Sequence, residues 1–275
     1  MKRFSKQFAS MLLLAMLCSL VLAGCGGASN KTQSTGGQTE QAADDAVLKK
    51  IKETKTLTVG TDATFQPFEF KNDKKEFDGF DIDLIRAVAK ELGADNVEFV
   101  DTEFKGLIPG LQAKKFDLIA SAMYITDERK LSIAFSDSYY PGGLAIMVKK
   151  DDNSIKGIED LKGKKAAVQI GTKSVKFLED NYPDVTRVEV EKNVEMFLEL
   201  ESGRVDAVVT GMPAAKVYAK QSGKVKVLEE PLTQEEYGYG IRKQDTAFVQ
   251  AVNEAIQAVK DSGEYQKIVE KWFGN

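Results

Sequence analysis

Between residues 118 and 140 the sequence LIASAMYITDERKLSIAFSDSYY places an arginine where helix electrostatics would not choose one. The apolar run 118–125 reads as a strand, Thr126 offers an N-cap oxygen, and Asp127 and Glu128 suit the positive start of a helix dipole. Arg129 falls at the third helical position, where a capping box would carry Glu or Gln. A cation there is explained if it faces an anion shared with exposed backbone N–H groups, because a guanidinium fork takes a carboxylate through two parallel hydrogen bonds. The competing reading is a surface arginine paired with Asp127 or Glu128.

Other chemistry is thinly supplied. The chain has no histidine, its two cysteines are Cys18 and Cys25, and no metal-ligand cluster or phosphate-cradling glycine-lysine motif is recognisable. The commonest acid-base and nucleophilic arrangements are thereby removed, and no cofactor is expected. Glu69 and Asp62 remain as general acids if burial tunes them.

The elements that must position Arg129 read as an α/β pattern. Short β-rich runs at 57–59, 97–100, 118–123, 144–148, 166–170, 188–190, 207–209 and 225–228 alternate with amphipathic helical stretches. Residues 81–92 carry Ile82, Ile85, Val88, Ala89 and Leu92 on one face, with Gly93 as a helix stop. Phe248, Val252, Ala255, Ile256 and Val259 repeat at helical spacing, and Gly263 separates that helix from a last one carrying Ile268, Trp272 and Phe273, aromatics assigned to the core. In such sheets ligands bind beyond the carboxyl ends of strands. Asp62, Phe65 and Phe104 fall in such places, as do Ser121, Ala122 and Tyr124 ahead of Arg129. The run 166–170 likewise leads into Gly171, Thr172, Lys173 and Ser174, a second helix start able to meet an anion.

The N-terminus has a different character. Lys2, Arg3 and Lys6 precede an apolar run over 8–23 that is short for a membrane span and ends in Leu22-Ala23-Gly24-Cys25, so 1–24 reads as a removable secretion signal. Its loss lowers the formal net charge of −4 by three, which argues against a nucleic-acid partner. Residues 26–46 have almost no large apolar side chain, so 25–50 is expected to be a flexible tether. No disulfide can form in the mature chain, and a sizeable core must hold the fold.

Residues 118–140, together with GTDATFQPFEFK (60–71), GFDIDLIRAVAKELG (79–93) and EKWFG (270–274), resemble the polar amino-acid family of bacterial solute-binding proteins, nearest the glutamine-binding ones. The likeness runs from Lys55 to the C-terminus. It implies a two-lobed type II periplasmic-binding-protein fold, each lobe a sheet flanked by helices, joined by a two-stranded hinge. Lobe one would comprise 51–140 plus 241–275 and lobe two 144–236, with hinges at 139–143 and 237–241, where glycines permit backbone rotation. Two tight turns within one domain are the alternative for those glycine-rich stretches. The Leu-Ala-Gly-Cys ending resembles a lipobox, which implies that Cys25 is lipidated and anchors a monomer to the extracytoplasmic face of a bacterial membrane. Ordinary cleavage beside an incidental cysteine is the competing reading.

What the family implies for the site is specific. Arg129 would grip the ligand's α-carboxylate from one lobe and the Lys173 N–H, after Thr172, from the other, so that ligand drives closure. Phe65 and Phe104 would sandwich the ligand's side chain and Asp62 accept from its tip. Gln169 stands where glutamine-binding relatives carry a lysine, and Thr210 where they carry a histidine. Tyr124 replaces a usual Ser or Thr. Gly211 replaces the aspartate that pairs with the ligand's ammonium group, which leaves that contact to carbonyls near Ala122, to Glu235 or Glu236, or to a ligand without an α-amine. The implied function is capture of a glutamine-like amino acid or related carboxylate for an ABC permease and its ATPase. Two alternatives are a cyclohexadienyl-dehydratase-like enzyme and a ligand-sensing module for a membrane receptor.

Overall fold

The computed structural model describes residues 37–274. The signal segment 1–24, Cys25 and the tether up to residue 36 lie outside the described residues. The rest of the expected tether is not extended chain: a helix runs over Gly37–Thr54. Its physical reason is the spacing of Val47 and Ile51, one turn apart and both buried in the core. Lys50 fixes the docking by donating to Asp117 Oδ2 at 2.6 Å and Thr58 Oγ1 at 3.0 Å.

Two mixed five-stranded sheets form the body. Across the first lie Asn96–Asp101, Thr56–Thr61, Leu118–Ile119, Gly240–Ile241 and Ala134–Phe135; across the second lie Thr186–Val190, Lys165–Gln169, Ala207–Gly211, Leu144–Lys149 and Val225–Val227. In each, parallel pairs sit on one side and antiparallel pairs on the other. The central strands are buried along their length, Ala207–Gly211 at every position, as strands covered by helices on both faces require. The helix Phe80–Glu91 buries Ile82, Ile85, Val88 and Ala89, and Thr246–Asp261 buries the five apolar residues expected of it. Gly79 introduces the first of these helices at φ +131°, where a side chain would strike the Phe68 carbonyl.

One expected strand is shorter than its apolar run. Pairing stops at Ile119, because Ala122 turns to φ +39° and its N–H donates to Asp81 Oδ2 at 2.7 Å instead of joining the sheet. Trp272 and Phe273 are half-buried, not core. Trp272 Nε1 donates to Asp83 Oδ2 at 2.8 Å, while Phe273 stacks on Tyr140 at 4.6 Å between ring centres.

The chain passes between the sheets at Tyr140–Pro141 and Glu236–Tyr237, which pair antiparallel with Tyr237 opposite Tyr140. An aromatic cluster packs behind this ribbon. Phe68 is at its centre, within 6 Å ring to ring of Phe65, Phe80, Tyr140, Tyr237 and Phe273.

Beside the cluster lie buried acids. Asp81 Oδ2 accepts from Ala122 N and from Tyr139 Oη at 2.8 Å, while its Oδ1 has no partner. Burial, against these two hydrogen bonds, raises its pKa to about 7. Burial and the nearby Asp81 push Glu69 well above the usual carboxylate range. A folded pKa above the unfolded value of about 3.9 means that the folded chain holds a proton the unfolded chain lacks between those limits. The resulting stability is full below about pH 4 and is lost as pH rises through about 7, at up to about 1.4 kcal/mol per pH unit for one group. Thermal unfolding followed from pH 5 to pH 8 is therefore expected to show a falling Tm in the parent chain and a shallower fall in Asp81→Asn.

Candidate functional site

The site lies where the two sheets face one another beside the ribbon. Thr126 caps the single turn Asp127–Lys130 as its sequence predicts, its hydroxyl accepting from Arg129 N at 3.2 Å. That cap turns the Arg129 side chain inward. Nη1 donates to the Tyr124 carbonyl at 2.9 Å, Nη2 to the Gly171 carbonyl of the opposite half at 3.4 Å, and the guanidinium lies 5.3 Å from the centre of the Phe104 ring. Asp127 pairs instead with Lys130, at 3.5 Å, and among the described residues no carboxylate stands within 4 Å of Arg129. Burial lowers its pKa to about 10, which leaves it charged at neutral pH. The surface ion-pair reading is therefore not what the structure has.

Across from it the helix Lys173–Asn181 begins. Thr172 occupies the N-cap position without capping, and its hydroxyl donates back to the Gln169 carbonyl at 2.7 Å. The first-turn N–H groups thus keep their hydrogen-bonding capacity toward the cleft. Lys173 Nζ reaches Glu235 Oε1 at 3.6 Å, and Ser174 is buried against the same space.

At the far end the two halves touch through polar side chains. Gln169 Nε2 donates to Asp62 Oδ2 at 2.5 Å and to the Glu191 carbonyl at 2.9 Å, and Asn193 Nδ2 donates to Gln169 Oε1 at 2.8 Å. Thr64 Oγ1 holds the other Asp62 oxygen at 2.9 Å, and burial raises the Asp62 pKa to about 6. Asp62 therefore stands behind Gln169 and does not line the cleft. Glu69 does line it. Its Oε1 accepts from Ser121 Oγ at 3.0 Å, and its Oε2 is buried without a partner. At the rim, Lys105 Nζ meets Glu191 Oε1 at 2.5 Å across the gap.

The remaining wall belongs to two tyrosines. Tyr124 and Tyr237 stack at 4.5 Å between ring centres, 11° from parallel, with Tyr237 fully buried. A Cβ at Gly211 would sit 2.5 Å from Tyr237 Oη and 3.2 Å from Tyr124 Oη, and one at Gly142 would overlap the Tyr124 ring. The two glycines and the two tyrosines form one packing unit.

Of the residues singled out from sequence, Phe65, Phe104, Ser121, Ala122, Tyr124, Arg129, Gln169, Thr172, Lys173, Thr210 and Gly211 all line the cleft. Phe65 also stacks on Phe68 at 5.6 Å, so it is both wall and core. Glu69 lines the cleft where sequence reading considered it only as an acid. Leu144, Asn193, Met196, Val209 and Tyr237 line it unanticipated. Asn193 had a weak signal, since it opens a helix just after a strand, as Lys173 does.

Comparison with known proteins agrees with this architecture. Residues 57–275 match the model of the bacterial extracellular solute-binding proteins, family 3. An ABC transporter glutamine-binding protein of Bacillus subtilis is 30% identical over 272 residues, covering 98% of this chain and 97% of the relative. ABC transporter arginine-binding protein 1 of Escherichia coli is 33% identical over 222 residues, covering 79% and 90%. Among solved structures, the ancestral amino acid-binding protein AncCDT-1, a precursor of cyclohexadienyl dehydratase, superimposes with a TM-score of 0.79 at 45% identity, covering 83% of this chain and 100% of that one. The chain belongs to family 3 of the bacterial extracellular solute-binding proteins.

Proposed function

We propose that this protein captures the carboxylate of a glutamine-like polar amino acid, or a related acid, and presents it to an ABC permease. One observation carries the reading: a guanidinium without a carboxylate partner among the described residues faces an uncapped helix start across a cleft. Each side alone is half of an anion site, and a bound carboxylate completes both. The Phe65 and Phe104 rings supply apolar walls for a ligand stem. Gln169, Asn193 and Glu69 supply polar groups for a tip bearing N–H donors, such as a carboxamide or a guanidinium, in keeping with the glutamine- and arginine-binding relatives.

The two sheets with their helices act as lobes, 51–140 plus 241–275 and 144–236, preceded in lobe one by the helix ending at Thr54. Rotation at 139–143 and 237–241 opens them. Contacts that exist only in the closed arrangement, Gln169 with Asp62 and Arg129 with Gly171, make closure and ligand binding thermodynamically linked. Cys25 is the lipid attachment point, and the mature chain works as a monomer on the extracytoplasmic face.

Arg129→Met removes the charge and keeps the bulk. Calorimetric titration with L-glutamine and L-arginine is expected to show affinity lower by a factor of about 30 to several thousand, the effect of leaving a desolvated carboxylate unpaired; unchanged affinity for a ligand bound by the parent refutes the carboxylate assignment. Small-angle scattering is expected to show the parent becoming more compact on adding the ligand, with Arg129→Met failing to do so at the same concentration. Cys25→Ser is expected to move the expressed protein from the membrane fraction to the soluble one.

A further inference from the structure

The polar contact at the far end of the cleft closes on itself. Thr64, on the short strand Thr64–Phe65, donates from Oγ1 to Asp62 Oδ1 at 2.9 Å. Gln169, at the end of a strand of the second sheet, donates from Nε2 to Asp62 Oδ2 at 2.5 Å. Asn193, the first residue of the helix Asn193–Ser202, donates from Nδ2 to Gln169 Oε1 at 2.8 Å. The same Nδ2 and the Asn193 backbone N–H reach back to Thr64 Oγ1, at 3.4 and 3.3 Å. Four side chains, two from each half, thus form one ring.

Its direction is forced. The Glu191 carbonyl can only accept, and it lies 2.9 Å from the Gln169 side chain, so that end of the amide is the NH2 group. Gln169 Oε1 can then only accept, and the Asn193 atom facing it is the amide nitrogen. Each side-chain hydrogen of Thr64, Gln169 and Asn193 therefore has an acceptor within the protein. Thr64 does not line the cleft; it faces an outer groove with Phe70, Val194 and Tyr218. The bonds from Gln169 to Asp62 and from Asn193 to Thr64 cross between the halves, and opening the cleft breaks them. A contact made only in the closed state favours that state by its own differential energy, whatever the ligand contributes.

We propose that Thr64 and Asn193 are positioning residues acting as a pair across the cleft: they join Asp62 and Gln169 into a ring that holds the halves together, so that ligand affinity depends on a contact the ligand does not make. This rests on the closure reading above.

A double-mutant cycle tests the pairing, with L-glutamine and L-arginine titrated calorimetrically into the parent, Thr64→Val, Asn193→Ala and the double variant. Each single change is expected to weaken whichever amino acid binds by about 5- to 100-fold, the effect of leaving a buried polar partner unsatisfied. The double variant is expected to stay within about 3-fold of the weaker single one, since a ring opened at either residue is already open. Thr64→Ser keeps the hydroxyl and is expected to restore binding. Single effects that multiply in the double variant mark two residues acting independently and overturn the proposal, as does a Thr64→Val chain that binds like the parent.

A second arm reads the juxtaposition without ligand. In a chain with Cys18→Ser and Cys25→Ser, Thr64→Cys and Asn193→Cys are expected to form an intramolecular disulfide on mild oxidation, because the bond requires the two side chains to meet. No cross-link means that the halves do not come together there, which overturns the ring. A cross-link in a chain that binds neither amino acid at millimolar concentration refutes the amino-acid reading and leaves the ring standing.

Discussion

A guanidinium held between two sheets without an anion is the constraint around which the rest is arranged. Arg129 is kept in place by neutral carbonyls, Tyr124 from its own side and Gly171 from the other. Carbonyl dipoles orient the fork but do not cancel its charge. Burial costs a lone cation more than it costs any neutral side chain, a deficit that the carboxylate of the proposed ligand would relieve. The one-turn helix Asp127–Lys130 exists to aim this side chain: its cap fixes the backbone, while Asp127 is occupied by Lys130 and does not reach back to quench it.

The buried acids play a complementary part. Asp81, Glu69 and Asp62 are linked through Ser121, Ala122 and Tyr139 into the segment that leads to Arg129. Asp81 pulls the chain out of the first sheet at Ala122, which ends strand pairing and swings residues 121–124 into the cleft wall. Fold and site therefore share the same hydrogen bonds. Burial in low dielectric raises the pKa of all three acids, and for Glu69 the neighbouring Asp81 and Asp62 add to it.

Much of this was legible in the residues. Helical periodicity located Phe80–Glu91 and Thr246–Asp261 because a two-sided burial pattern leaves an apolar stripe, and Thr126 announced its cap because only a few side chains can accept from a helix start. The cleft residues on loops after strands were found through the family likeness together with that topology. What was not legible depends on contacts between distant parts. The helix Gly37–Thr54 looks polar, and only the partner beneath Val47 and Ile51 makes it pay to form. Asp62 looked like a ligand contact because sequence shows a carboxylate after a strand but not the glutamine, 107 residues away, that covers it. Gly211 looked like a missing aspartate. The structure shows it to be the counterpart of Tyr124 and Tyr237, a relation that no local pattern encodes.

The aromatic residues also divide by location. Trp272, the only tryptophan of the chain, lies on the last helix and is tied to Asp83 of the helix Phe80–Glu91, whereas Tyr124, Tyr139, Tyr140, Tyr237 and Tyr239 gather at or near the ribbon between the sheets. Indole emission from this protein is thus a gauge of how firmly the C-terminal helix is seated. The optical signature of events in the cleft belongs to the phenols, in the near-ultraviolet region where tyrosine dominates.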